Sequence, residues 1–320
     1  MIGKRKVVLV GTGFVGMSMA YAILSQGNAS GVNELVLIDV LKDKAIGEAM
    51  DLCHGLPCSS SHMKIKAGDY DECSDADIVV ITAGLNQKPG QTRLELSEAN
   101  AKIMKDITIQ VVNSGFKGIF LIASNPVDLM TKVVQEVSKF PTSRVIGSGT
   151  TLDTARLRFM VGEYLNVSDK NVHAYIMGEH GDSSFVPWEH AYVGCKKVTD
   201  ILEDAGKNLS DLDKIYVEVR DAAYEIINRK KATYYGIGLG LAKIVRTVMN
   251  DTNEILTVSA YLNNQYGQED LYIGVPAIIN SNGARELLEL ELSEENQAKL
   301  DASAKILKEN MNNIRKALNA

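Results

Sequence analysis

Short, unbroken apolar runs alternate with longer amphipathic stretches over the first 150 residues. Strands buried on both faces have no polar side to show, so this pattern predicts a parallel sheet with helices packed on its faces. The runs place strands at 6–10, 34–38, 64–67, 78–82, 118–123 and 144–146, with V-V-L-V and L-V-L-I suited to the sheet centre. After about Thr150 the texture changes. A long helix is predicted over 152–164, followed by strand-like stretches at 171–176, 255–262 and 271–279. The last two flank 263–267, whose turn-forming residues predict an antiparallel hairpin. Near the end, Leu300, Ala304, Leu307, Met311, Ile314 and Leu318 alternate spacings of four and three, which predicts an amphipathic helix with Ser293 as its N-cap. The fold class is therefore α/β: a doubly wound parallel sheet followed by a mixed α+β domain, with no repeat or proline-rich linker between them. The division is set at 1–147 and 148–320, and a working cleft is expected at the junction.

Composition narrows the functions open to such a chain. Its 320 residues exceed one ordinary core, and 45% hydrophobic with 23% charged residues is a globular balance. A net charge of -6 with dispersed basic residues supplies no phosphate-neutralising stripe, so nucleic acid is not an expected partner. Lys4, Arg5 and Lys6 precede an apolar run of only four residues, Val7 to Val10, too short for a signal peptide; no stretch approaches a membrane span. Cys53, Cys58, Cys73 and Cys195 show no C-x-x-C spacing, so neither a disulfide framework nor a metal site is expected, and the cytoplasm fits best.

The first chemical signal lies between the first strand and the helix after it, in V-V-L-V-G-T-G-F-V-G. Gly11 permits a tight turn, Gly13 lets the backbone approach a pyrophosphate, and Gly16 lets the helix pack close to the strand. The helix N-terminus offers N–H groups and a positive dipole end to phosphates. Asp39 ends the second strand, where a carboxylate accepts hydrogen bonds from ribose hydroxyls and repels a 2′-phosphate. The pair of signals points to NAD rather than NADP.

A second signal lies in the other half. In L-D-T-A-R-L-R, Asp153 and Arg156 are three apart and share a helix face, whereas Arg158 lies about 200° around the axis from Arg156. Alone, Asp153 and Arg156 read as a surface ion pair. His180, in G-E-H-G-D-S-S-F, follows a predicted strand between Gly178 and Gly181, an exposed setting in which a partner aspartate would make it a proton relay.

Taken together, G-T-G-F-V-G, T-A-G-L-N-Q-K-P-G-Q-T-R, S-N-P-V-D, L-D-T-A-R-L-R and G-E-H-G-D-S-S cover the whole chain in order. The sequence resembles the bacterial, fructose 1,6-bisphosphate-responsive L-lactate dehydrogenase branch of the lactate and malate dehydrogenase family. The resemblance implies a Rossmann domain followed by a substrate domain, and reversible reduction of pyruvate to L-lactate by NADH at the end of glycolytic fermentation. It implies that His180 exchanges the proton, that Asp153 holds its imidazole, and that Arg156 grips the substrate carboxylate with a two-pronged bond. Arg93, carried on a loop starting at Gly84, would polarise the ketone oxygen; Asn125 would bond near that oxygen, and Thr233 would line the pocket. Val15, Tyr70, Ala83, Gly84, Asn125 and Ser148 match positions along the cofactor. Gly84 and the Pro89–Gly90 pair bracket polar residues, which fits a lid that excludes water.

Substrate choice falls to Gln87. Malate-specific relatives carry arginine there to pair with a second carboxylate, so glutamine favours pyruvate over oxaloacetate. Malate dehydrogenase or a broader 2-hydroxy acid dehydrogenase is the alternative. A non-catalytic NAD-binding protein is a different class, and it is disfavoured because His180, Asp153, Arg156 and Arg93 are all present. The resemblance further implies that Arg158 and His173 bind fructose 1,6-bisphosphate between subunits of a homotetramer. With the first strand predicted from Lys6, an N-terminal arm like that of the vertebrate enzymes is not expected. One departure is Lys231, where relatives commonly have glycine, which adds bulk and charge beside the expected pocket wall.

Overall fold

A computed structural model describes residues 3–85 and 93–319; of Arg93, only its place in a helix is described. The chain opens with β1 (Lys6–Val10), α1 (Phe14–Ser25), β2 (Glu34–Ile38), α2 (Lys42–Gly55), β3 (Lys64–Ala67) and β4 (Ile78–Ile81). It continues with α3 (Arg93–Asn113), β5 (Ile119–Ile122), α4 (Val127–Ser138), β6 (Val145–Gly147) and α5 (Thr151–Leu165). These six strands pair in parallel in the spatial order β3-β2-β1-β4-β5-β6, reversing direction of travel between β1 and β4. This is the doubly wound arrangement read from the sequence. Strands β1, β4 and β5 are buried along their whole length, as their unbroken apolar runs require. At the edge, β3 reads K-I-K-A and buries only Ile65.

The second half adds β7 (Val172–His173), β8 (Tyr192–Val193), β9 (Lys196–Lys197), α6 (Val198–Asp204), α7 (Ser210–Lys230) and α8 (Tyr235–Met249). It closes with β10 (Glu254–Asn263), β11 (Glu269–Asn280), β12 (Gly283–Leu287) and α9 (Glu294–Asn319). The predicted hairpin is present as β10 and β11, which pair antiparallel from Glu254–Ile279 to Leu262–Leu271. It extends the first sheet: Ser259 of β10 pairs antiparallel with Gly147 of β6, giving nine strands with β12 at the far edge. One large core runs across this sheet, and a smaller one gathers Leu157, Val161, Val172, Ile176, Leu202 and Val219 around α5 and α7. Ser293 caps α9 as predicted, its hydroxyl accepting the Asn296 N–H at 3.3 Å.

Two expectations need correction. The strand-like stretch 171–176 pairs only over Val172–His173; beyond it the chain leaves the ladder, with Gly178 bridging Gly274 of β11. The span between Ile176 and Glu254, to which the apolar pattern assigned nothing, holds three helices. In α8 the glycines of Y-G-I-G-L-G look like helix breakers. Gly238 instead lets α8 press against α1, since a Cβ there would come within 2.6 Å of the Ser18 Cβ.

Candidate active site

The positions expected along the cofactor collect at the carboxyl ends of the parallel strands, around the switch point between β1 and β4, where ligands bind in such sheets. Gly11 leaves β1 with φ +103, and any Cβ there would lie 2.6 Å from the Ala83 nitrogen. Gly16 is pressed on Gly11 O and on Thr82 Oγ1, which itself donates to Gly11 O at 2.8 Å. Gly13 differs: a Cβ there would meet no protein atom within 4 Å, so its backbone faces open space at the start of α1. The first turn of α1 has no side-chain cap and no acidic residue, which leaves its N–H groups able to receive an anion. These residues fit a dinucleotide pyrophosphate.

Asp39 stands just beyond β2. Its Oδ2 accepts from the Thr12 N–H and hydroxyl, both at 2.8 Å, and Oδ1 accepts the Leu41 N–H at 3.0 Å. Burial works to raise its pKa, but the bonds from Leu41 and Thr12 prevail and hold it below the ordinary carboxylate range. An ionised Asp39 suits ribose hydroxyls and opposes a 2′-phosphate. NADPH is therefore expected to bind about 10²-fold more weakly than NADH in a fluorescence titration, and Asp39→Ser to narrow that gap. Equal affinities in the native chain would contradict the role given to Asp39. Val15 lies in the first turn of α1, Ala83 and Gly84 follow β4, and Ser148 is buried just past β6. Tyr70 follows β3; burial pushes its hydroxyl up to about 12, so it stays neutral.

The proton-transfer residues meet in a cleft of about 710 Å³ whose lining includes Asn125, Asp153, Arg156, Ile176 and His180. Asp153 and Arg156 come from the start of α5, on one face as the spacing predicted. Asp153 Oδ2 lies 2.7 Å from His180 Nδ1, and its Oδ1 accepts from Arg156 Nη1 at 3.1 Å. The Asp153 side chain is 15% exposed and that of His180 30%. Burial alone would drive a proton off His180, yet Asp153, with Asp128 behind it, raises the imidazole pKa to about 9. Burial likewise opposes the charge on Asp153, and His180 and Arg156 together keep its pKa below the ordinary carboxylate value. The pair is an imidazolium–carboxylate at neutral pH. With Nδ1 committed to Asp153, Nε2 is the nitrogen left to exchange a proton with substrate. A guanidinium carries five N–H donors, so the bond to Asp153 leaves Arg156 the capacity for a two-pronged grip on a carboxylate.

Supporting residues escaped the sequence reading. Asn100 on α3 accepts the Leu85 N–H at 2.7 Å and donates to the Asn125 carbonyl at 2.9 Å, tying the end of β4 to the cleft. Ser124 donates to the Ala83 carbonyl at 2.6 Å. Asp128 accepts the His180 main-chain N–H at 2.9 Å. Ser124 and Asp128 lie in the S-N-P-V-D motif, which does not itself reveal their bonds, and Asn100 shows only a polar side chain on a buried helix face.

Other expected residues stand elsewhere. Gln87 lies outside the described residues, as does most of the expected lid; its neighbours Leu94, Leu96 and Ser97 on α3 line the cleft. Thr233 is half-buried between α7 and α8 and is not among the residues lining the cleft. Lys231 is exposed and caps α7 in the left-handed conformation, φ +72. Glycine adopts that geometry without steric cost, which accounts for its use by relatives, and the lysine side chain does not crowd the cleft. On the opposite face of α5, Arg158 Nε donates to the Ala174 carbonyl at 3.0 Å and its guanidinium lies 5.0 Å from the centre of the Tyr175 ring. His173, exposed on β7, immediately precedes Ala174.

Residues 5–147 match the lactate/malate dehydrogenase NAD binding domain, and residues 150–318 match the alpha/beta C-terminal domain of the same family. The chain belongs to the lactate/malate dehydrogenase family. It is 56% identical to L-lactate dehydrogenase 1 of Bacillus cereus (strain ATCC 10987 / NRS 248) over 310 residues, 97% of this chain and 98% of that protein. The same identity and coverage relate it to L-lactate dehydrogenase 2 of Bacillus anthracis. Among solved structures, a lactate dehydrogenase from a Medee basin deep-sea metagenome library superposes with a TM-score of 0.95 at 51% identity, covering 98% of this chain and all of that one. The minor L-lactate dehydrogenase of Enterococcus mundtii, in its ligands-bound form, gives 0.94 at 48% identity over 97% and 98% of the two chains. For a lactate/malate dehydrogenase, the first half is the NAD-binding part and the chemistry is that of an oxidoreductase.

Proposed function

We propose that this chain is an NAD-dependent L-lactate dehydrogenase that interconverts pyruvate and L-lactate. The observation that carries the reading is the His180–Asp153–Arg156 cluster, set in one cleft with Asn125 and reached from the carboxyl ends of the NAD-binding sheet. Arg156 holds the substrate carboxylate and so presents the 2-oxo group to His180. His180 Nε2 delivers its proton to the ketone oxygen while Asp153 retains the imidazole and stabilises its charge before transfer. Asn125 bonds beside that oxygen, and Arg93 polarises it. When bound, NADH supplies the hydride taken up by the carbonyl carbon. A neutral glutamine at position 87 suits the methyl end of pyruvate, and Val15, Tyr70, Ala83, Gly84, Asn125 and Ser148 are assigned to the cofactor.

The test is NADH oxidation with pyruvate or oxaloacetate. Pyruvate is expected to support the faster reaction by about 10²-fold or more in kcat/KM, because a second carboxylate meets no cation at Gln87 and a buried unpaired charge costs several kcal/mol. Oxaloacetate as the better substrate would replace this reading with malate dehydrogenase.

Residues 1–147 are taken as the cofactor domain and 148–320 as the substrate domain, working in the cytoplasm at the lactate-forming end of glycolytic fermentation. No helix among the described residues is long and apolar enough to cross a membrane. A homotetramer is supported by the apolar side chains left exposed on α1, α2 and α8 and just before α2, where Tyr21, Met50, Leu239 and Val40 are all more than half exposed. Fructose 1,6-bisphosphate is proposed as activator at Arg158 and His173. Arg158 donates to the carbonyl of Ala174, the residue after His173, and Arg158 and His173 are both side-chain types suited to phosphate. Titrating the bisphosphate is expected to lower the pyruvate KM at least several-fold, and Arg158→Ala to abolish the response. No response at any pH removes the activator from the account.

A further inference from the structure

His180 is held by two carboxylates, of which only Asp153 reaches its ring. The second, Asp128, lies in the first turn of α4 and is 2% exposed. Its Oδ2 accepts the His180 main-chain N–H at 2.9 Å, and its Oδ1 accepts the Ser259 hydroxyl of β10 at 2.5 Å. Both bonds come from neutral donors; an asparagine could accept the first through its oxygen and meet Ser259 with its amide if that hydroxyl turned to accept, without burying a charge. The site nonetheless places an anion there, directly behind the proton carrier. Three residues earlier Asn125 lines the cleft, so the start of α4 carries both a residue facing the substrate and the anchor of the catalytic loop.

We propose that Asp128 is a positioning residue for His180, fixing the loop main chain relative to Asn125 and, as an anion, helping Asp153 to keep the imidazole protonated. This rests on the lactate dehydrogenase reading given above. The rest of the loop is pinned independently: Ser303 of α9 accepts the Glu179 N–H at 2.7 Å, and Gly178 exchanges main-chain bonds with Gly274. Asp128 thus anchors the one residue of the loop that does chemistry. Burial pushes Asp128 up to about 6, against the bonds from Ser259 and His180, which leaves it charged at neutral pH. Glu179 on the loop opposes that charge. Lys132 of α4, Glu269 and Asp270 of β11, and Lys308 and Arg315 of α9 line the cavity on its other side. There Lys132 and Arg315 are paired with Glu136 and Asp270, so their charges largely cancel.

The test uses the full chain. The pKa of His180 is read by NMR of the ligand-free protein carrying labelled histidine, with His180→Asn identifying its signal among the five histidines. Asp128→Asn keeps the shape and the bond from the His180 N–H, holds Ser259 only if that hydroxyl turns to accept from the amide, and removes the charge; it is expected to lower the His180 pKa by roughly one unit and to move the alkaline limb of pyruvate reduction with it. Asp128→Ala frees the loop and is expected to lower kcat about 10- to 100-fold, the usual consequence of misplacing a reacting group by an ångström. Should that variant fail to fold, Ser259→Ala removes only the bond that aims the carboxylate, with an expected loss of about 3- to 10-fold. An unchanged His180 pKa in Asp128→Asn overturns the proposal, as does full activity in Asp128→Ala or Ser259→Ala. A native chain inactive on pyruvate overturns the functional reading instead, and the NMR result distinguishes the two.

Discussion

Replacing His180 with asparagine is expected to lower the rate of pyruvate reduction by roughly 10³-fold while leaving NADH affinity unchanged. The imidazole is the group in the cleft that is protonated at neutral pH and held, through Asp153, with one nitrogen free for the substrate. Asparagine can bond to Asp153 but cannot donate a proton to a developing alkoxide. Its cofactor contacts lie on the other side of the switch point, around Gly11, Gly13 and Asp39, and should be undisturbed. Stopped-flow measurement of NADH oxidation, alongside a fluorescence titration of NADH, separates the two effects. Equal losses in rate and NADH affinity would mean that His180 supports the fold of the cleft rather than the chemistry.

The second large effect is expected at Arg156. Arg156→Lys keeps the charge but loses the planar fork, and the Arg156 side chain is only 15% exposed, so water gives little compensation. The variant is expected to lose about 3 kcal/mol of substrate binding, roughly 10²-fold in kcat/KM and mainly through the pyruvate KM. Asp153 would lose an ordered partner as well, but His180 remains to pair with it, so the proton-transfer step should survive at saturating pyruvate. A kcat loss with unchanged KM would assign Arg156 to the chemical step instead.

Much of this site was legible in the sequence because its chemistry is carried by residues whose types are constrained locally. Glycines at 11, 13 and 16 sit where strand, turn and helix meet, and the Asp153–Arg156 spacing fixes a shared face whatever the tertiary fold. The pairing of His180 with Asp153, 27 positions apart, rested on family resemblance, because no local rule brings a loop to a distant helix. Asp128, Asn100 and Thr12 escaped for the same reason: their roles exist only once β10, β4 and β2 are neighbours. The strands of the first half were found to within a residue or so because burial on both faces leaves unbroken apolar runs. Helix α7 was not, since its exposed charges dilute the periodicity; nor was α8, whose glycines serve the close approach of α1 rather than a break. Edge strand β12, reading G-A-R-E-L, carries too little apolar signal to be separated from a loop.

If His180 carries the proton, the pH dependence of both directions of the reaction must report its titration. The imidazole pKa is raised, so the protonated form needed for pyruvate reduction persists through neutrality and is lost as pH rises through about 9. Single-turnover rates at saturating NADH, with deuterated NADH confirming that hydride transfer limits them, should be flat near pH 7 and fall on the alkaline side. Lactate oxidation, which needs the neutral imidazole, should rise over the same interval with the same pKa, and Asp153→Asn should move both curves to lower pH. A reduction rate independent of pH across that interval, with hydride transfer shown to be limiting, would mean that His180 is not the proton carrier.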